Sequence, residues 1–91
     1  MVRYKGVVEG RVQGVGFRYF TKQLALEAEL TGWVKNTPEG TVEFEVQGNR
    51  SAVRSFMRKI QQAKYPAKVT NLSLKNIHPL NNETKFKIIY T

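Results

Sequence analysis

The clearest pattern in the chain is TVEFEVQG at 41–48, where Val42, Phe44 and Val46 alternate with Glu43 and Glu45. A period of two with one apolar and one charged face predicts a half-buried antiparallel strand. The preceding run, GWVKNT at 32–37, reads as its partner, and Pro38, Glu39 and Gly40 join the two as a hairpin. Upstream, RYKGVVE at 3–9 alternates weakly and predicts a first strand that Gly10 ends. From Phe17 the period lengthens. Phe17, Phe20, Leu24 and Ala28 recur at helical spacing, Lys22, Glu27 and Glu29 are left for water, and Gly32 supplies a stop.

A second helix follows the hairpin. Asn49 can cap it, Val53, Phe56, Met57, Ile60 and Ala63 form its apolar stripe, and Arg54, Arg58 and Lys59 fall on or beside the wet side before Pro66 closes the segment. Residues 67–77 predict a fourth strand, with Leu72 and Leu74 in one phase and Val69 out of it, which suits a bulge. A loop at 78–83 precedes a last strand at 84–90, with Phe86, Ile88 and Tyr90 on one face. The pattern is equally consistent with 67–90 as one interrupted strand or as two. The order strand, helix, strand, strand, helix, strand, with a short extra strand at the end, predicts an α+β fold of the ferredoxin-like split βαβ type. Two helices then cover one face of an antiparallel sheet. Residues 1–91 read as one domain.

Composition narrows the function classes. Hydrophobic residues make up 41% and charged residues 24%, as in a globular domain. The absence of cysteine excludes a disulfide scaffold, a thiol nucleophile and a cysteine-ligated metal, and agrees with a cytoplasmic location. No run approaches the roughly 20 apolar residues of a membrane span, and the N-terminus lacks a signal-peptide core. Fifteen Lys and Arg against seven acidic residues give a net charge of +8, which favours anionic partners, either small phosphorylated molecules or nucleic acid.

The chemistry concentrates in GRVQGVGFR at 10–18, with three glycines and two arginines between a predicted strand and a predicted helix. In that context the loop's N–H groups and the free N–H groups at the helix start near Phe17 converge into an anion cradle. Arg18, in the first helical turn, adds a planar fork for phosphate oxygens. Such loops also serve geometry alone, and the residues by themselves leave both readings open. No GKS or GKT follows, so this is not a Walker loop, and no dinucleotide fingerprint is completed.

Two separated motifs, GRVQGVGFR at 10–18 and GWVKN at 32–36, with Gly40, Val42 and Gly48 at matching spacing, make the whole chain resemble the acylphosphatases. The resemblance implies a ferredoxin-like fold and hydrolysis of the carboxyl–phosphate bond of acyl phosphates. It implies a phosphate-binding loop of Arg11, Val12, Gln13, Gly14, Val15, Gly16, Phe17 and Arg18, with Arg18 as the substrate-binding arginine. It implies Asn36 as the residue that holds the attacking water. Thr21 and Thr37 are candidates for bracing the site, with a local backbone bond as the alternative for each. Trp33 and Phe20 read as packing residues.

What is missing suits that chemistry. There is no Asp or Cys, and His78 is the one histidine. An acyl phosphate leaves behind a carboxylate whose conjugate acid has a pKa of roughly 4, so the leaving group departs unprotonated. Holding phosphate, aligning water and stabilising equatorial charge remain. The expected reaction therefore needs no metal, cofactor or covalent intermediate. The expected partners are a small acyl phosphate and inorganic phosphate, as product and competitive inhibitor, acting on a monomer with no membrane contact. The rival reading is a nucleic-acid-binding module of the same fold, against which Glu43 and Glu45 would repel a backbone laid on the sheet. A third is a regulatory or carbamoyl-phosphate-handling domain, as in larger proteins with acylphosphatase-like portions.

Overall fold

The computed structural model describes residues 1–90. The elements run β1 (Val2–Arg11), α1 (Phe17–Glu27), β2 (Thr31–Asn36), β3 (Val42–Gly48), α2 (Arg50–Gln61), β4 (Lys68–Ile77) and β5 (Phe86–Ile89). The strands form one sheet in the order β4-β1-β3-β2-β5. Its β1–β3, β1–β4 and β2–β3 pairings are antiparallel, and β2–β5 is parallel. The sheet is therefore mixed rather than wholly antiparallel. Residues 67–90 supply two strands at opposite edges, with the 78–85 segment passing between them.

The period-two reading of 42–46 holds. Val42, Phe44 and Val46 are fully buried, joined by Val8 and Val34 from the neighbouring strands. The two helices cover this side. Val53, Phe56, Met57 and Ile60 come down from α2, and Phe56 meets Phe44 edge-on with ring centroids 5.4 Å apart. Truncating either ring to Ala costs about 3–5 kcal/mol. Asn49 caps α2 as expected, its Oδ1 accepting the Ser51 N–H at 2.9 Å.

Several boundaries differ from the sequence reading. β1 does not end at Gly10 but runs to Arg11, which pairs with Lys68. The ladder slips at Glu9/Gly10, where Asn71 and Val69 are the successive partners and Thr70 is extra. That is the bulge that the phase of Val69 predicts. α1 ends at Glu27, well before Gly32. Glu29 takes the left-handed conformation (φ 56°) that closes the turn, and the Leu30 N–H returns to the Ala25 carbonyl at 2.9 Å. Gly32 instead lies inside β2 at φ 141°, where a Cβ would strike the Glu45 carbonyl oxygen. The α1 stripe is centred on Phe17, Thr21 and Ala25, with Phe20, Leu24 and Ala28 flanking it and partly buried. β4, an edge strand, keeps Leu72 half-buried but leaves Leu74 exposed.

The opposite face of the sheet is polar. Lys5 and Lys35 flank Glu43 at 3.6 and 3.8 Å. Arg3 is almost wholly buried there. It donates to Glu45 at 2.9 Å, to Gln47 at 3.1 Å and to both carboxylate oxygens of Glu83 at 2.7 and 3.3 Å. Gln47 in turn exchanges bonds with the Leu80 backbone, at 2.8 Å from its Nε2 and 2.7 Å to its Oε1. This knot fastens the 78–85 segment across the sheet. Burial alone would depress the Arg3 guanidinium, but the bonds to Glu83 and then Glu45 outweigh it and hold it above its ordinary value. The guanidinium thus stays charged throughout the neutral range, where it holds both carboxylates.

Candidate active site

The loop between β1 and α1 takes its shape from Gly14 and Gly16, at φ 74° and 76°, in the region that L side chains rarely adopt. Nothing lies within 4 Å of where a Cβ would stand on either, so the loop opens onto free space rather than onto protein. Gly16 is also the N-cap of α1. It offers no side-chain acceptor, and the first turn holds no acidic residue. The positive end of the helix is therefore not offset by a cap or by its own first turn. Val12 and Phe17, both buried, fix the two ends of the loop to the core.

Asn36 reaches the same place from β2. It shares the parity of Val34, whose side chain is buried in the core, and it ends the strand opposite Val42. Val12, Gly14, Gly16, Phe17, Arg18, Tyr19, Asn36, Ile88 and Tyr90 surround one cleft of about 170 Å³. Within it the Arg18 guanidinium carbon stands 4.9 Å from the centre of the Tyr90 ring. The Asn36 Oδ1 is buried and has no hydrogen-bond partner. A buried acceptor in that state costs about 1–3 kcal/mol, and it is the one such side-chain atom among the described residues.

The chain matches the acylphosphatase family model over residues 4–88. It belongs to the acylphosphatase family. An acylphosphatase of Geobacillus kaustophilus is 49% identical over 90 residues, spanning 99% of this chain and 96% of that protein. The crystal structure of the Bacillus subtilis acylphosphatase superposes with a TM-score of 0.94 at 40% identity, over 99% of this chain and all of the other. An acylphosphatase structure from Coxiella burnetii gives 0.89 at 31% identity, over 97% and 92% of the two chains. The ferredoxin-like arrangement of strands and helices is common to them.

Within this acylphosphatase fold the residues singled out from the sequence separate. Arg18 and Asn36 come together with Val12, Gly14, Gly16 and Phe17. Arg11 does not join them. It is the last residue of β1, exposed, and faces a different concavity with Lys68 and Tyr65. The side chain of Gln13 turns away from the cleft, its Nε2 donating to the carbonyls of Thr37 at 2.9 Å and Thr41 at 2.8 Å. It ties the loop to the β2–β3 turn that follows Asn36. Val15 lines a groove between the helices. Thr21 is fully buried and bonds the Phe17 carbonyl at 2.9 Å, the local backbone bond rather than a brace to the cleft. Thr37 stays within the turn, 2.6 Å from the Thr41 hydroxyl. Phe20 packs at the core margin against Phe17, while Trp33 lies half-buried with the Lys35 ammonium 5.3 Å from its ring.

Tyr19, Ile88 and Tyr90 were not legible as cleft residues. The alternation of Phe86, Ile88 and Tyr90 puts them on one face of the last strand. Only the parallel docking of β5 beside β2 carries that face to the start of α1.

Proposed function

We propose that the protein hydrolyses acyl phosphates by direct attack of a water molecule on phosphorus, without a metal ion and without a covalent intermediate. The observation that carries this mechanism is the buried, unpartnered Asn36 Oδ1, which shares a cleft with Arg18 and the uncapped start of α1. The phosphoryl group lies against the loop and helix N–H groups, with Arg18 on its equatorial oxygens. Water bonds the Asn36 side-chain amide, whose buried Oδ1 turns out toward the cleft to accept it, and presents a lone pair to phosphorus. The bond from water oxygen to phosphorus forms as the bond to the acyl oxygen breaks, and the electron pair leaves with the carboxylate. No carboxylate or imidazole among the described residues lines the cleft, so the proton passes to phosphate oxygen or solvent rather than to a side-chain base. Positioning and charge stabilisation supply the catalysis.

The same reading takes residues 1–91 as one domain, working as a monomer in the cytoplasm, with inorganic phosphate as product and competitive inhibitor. No helix among the described residues is long and apolar enough to cross a membrane. Nucleic-acid binding is not favoured. The open sheet face carries Glu43 and Glu45 in ion pairs, and Trp33 sits beneath Lys35.

The test is hydrolysis of an acyl phosphate beside an alkyl phosphate, each with and without chelator, in water enriched in heavy oxygen. Acyl phosphate is turned over at an equal rate in chelator, alkyl phosphate is left nearly intact, and the label enters inorganic phosphate. Absence of acyl phosphate turnover by folded protein removes the function. Loss of activity in chelator removes the metal-free mechanism. Label in the carboxylate moves the attack from phosphorus to carbon.

A further inference from the structure

A larger concavity, of about 480 Å³, lies between the two helices and shares Gly16 and Phe17 with the cleft. Val15, Phe20 and Leu24 form one wall. Ala63 and Ala67, just past α2, form the other. All five are only partly buried against the core, so the helices leave a strip of apolar surface wet between them. Small side chains on one wall and large ones on the other make room for a slender apolar body rather than for a neighbouring helix.

The polar part of the lining has one sign. Lys59 and Lys64 border the groove, and no carboxylate does among the described residues. The wider surroundings reinforce them. Residues 46–82 hold seven Lys and Arg and no acidic residue, and so account for nearly all of the net charge of +8. The groove also lacks what a phosphate would choose. It has no arginine fork, and its cationic groups are two flexible ammonium points that suit a single negative charge.

We propose that this groove is a binding site for an aliphatic monocarboxylate. The hydrocarbon lies between Phe20 and Leu24 on one side and Ala63 and Ala67 on the other, and the carboxylate is held by Lys59 and Lys64. A carboxylate is also what acyl phosphate hydrolysis releases, so the groove takes the class of molecule that the neighbouring cleft would produce. That link alone rests on the proposed function. The binding chemistry of the groove stands without it.

Amide NMR titration of the full chain tests the proposal, with butanoate, hexanoate and octanoate, with uncharged 1-octanol, and separately with inorganic phosphate. Octanoate produces saturable shifts at Phe20, Leu24, Ala63 and Ala67, and affinity climbs by about threefold for each methylene added along the series. Octanol binds more weakly. The double variant Lys59→Gln/Lys64→Gln loses about fivefold in octanoate affinity, as expected for exposed ion pairs, and keeps its octanol affinity. Ala63→Phe fills the groove and abolishes both. Should Ala63→Phe fail to fold, the double lysine variant, altered only on the surface, decides. Phosphate moves the amides of 14–18 and Asn36 without displacing octanoate. The proposal is overturned if octanoate shifts are confined to 14–18 and Asn36 and reversed by phosphate, because the carboxylate then occupies the cleft. Equal affinity for octanoate and octanol, or shifts that never saturate, overturn it as well. Loss of acyl phosphate turnover with groove binding intact would instead count against the hydrolytic reading alone.

Discussion

Two arginines, each beside a side-chain amide, show how differently this fold treats polar groups. Arg3 is sealed under the 78–85 segment, and Glu45, Gln47 and Glu83 all accept its bonds. The amide next to it, Gln47, is satisfied at both ends. Arg18 stands at a cleft against an aromatic face, and the amide facing that cleft, Asn36, has a buried oxygen with nothing to bond. The first constellation is finished by the protein itself. In the proposed mechanism the second is completed by a ligand and a water. A chain that satisfies its polar groups at one place and leaves one unsatisfied at another is marking the second for function.

The comparison breaks most severely at Arg18. Arg18→Ala removes a fork of charge-assisted bonds worth about 1.5–3 kcal/mol each, so phosphate affinity falls by about a hundredfold or more and kcat/KM further still. Arg18→Lys rescues little, since an ammonium cannot reproduce the fork. Calorimetry with inorganic phosphate reads this directly, and unchanged binding would take Arg18 out of the site. Asn36→Ala comes next and splits binding from turnover. With a water-positioning role, kcat falls by roughly two to three orders of magnitude, in line with about 2.7–4 kcal/mol for a polar group in a pre-organised site, while phosphate affinity barely moves. A folded variant with ordinary turnover ends that role. Equal losses in affinity and turnover move Asn36 into the phosphate shell.

Arg3→Leu tests the other half. It strands Glu45 and Glu83, whose side chains keep 22% and 18% of their exposure. Residual water puts the cost at the lower end of the range for a broken buried pair, about 3 kcal/mol. Urea denaturation shows the midpoint falling, and folded variant assayed at low temperature turns over normally. A drop in kcat with stability intact would erase the distinction between the two arginines.

How much of this was legible beforehand follows from the range of each interaction. The hairpin core and α2 were legible, because Val42, Phe44 and Val46, and then Val53, Phe56, Met57 and Ile60, repeat at one period within a single element. The end of α1 was not. Glycine is the usual left-handed stop, yet Glu29 takes that conformation and Gly32 serves a close approach between strands. The separation of β4 from β5 was also hidden. Nothing local in 78–85 says that it is pinned by Arg3 from 80 residues earlier in the chain. At the site, Arg18 and Asn36 were legible through their motifs. The orphaned oxygen of Asn36 and the reach of Gln13 to the β2–β3 turn depend on a loop and a hairpin brought together by the fold.

Gln13 therefore sharpens the comparison at a smaller scale. Its amide nitrogen is satisfied by two carbonyls, but it borders the open site. The carbonyls of Thr37 and Thr41 keep other partners, Gly40 and Thr37 N–H respectively, so Gln13→Ala leaves no orphan and costs stability only about 1 kcal/mol. What it loosens is the alignment of the 12–16 loop with Asn36. Misalignment near 1 Å can cost about a hundredfold, and a softened tether a part of that, so kcat falls by about tenfold with phosphate affinity nearly kept. An effect on affinity alone would make Gln13 a loop-shaping residue with no bearing on Asn36.

The smallest expected effect is at Tyr90, and it asks whether Arg18 is held ready or merely free. Tyr90 is 76% exposed, so its ring adds little to the core, yet the Arg18 guanidinium carbon lies 4.9 Å from its centre. An exposed cation–π contact is worth about 0.5–1 kcal/mol, which limits Tyr90→Leu to a two- to fivefold loss of phosphate affinity. The loss arises because Arg18 must then give up more side-chain freedom on binding. Turnover at saturation stays the same, since bound phosphate fixes the guanidinium whether or not the ring is there. Tyr90→Phe keeps the π face and drops the hydroxyl, so it behaves like the original protein. If Tyr90→Phe is as weak as Tyr90→Leu, the hydroxyl and not the ring is what matters. If both bind phosphate normally, the ring contact does nothing to prepare Arg18, and the guanidinium is ordered by the ligand alone.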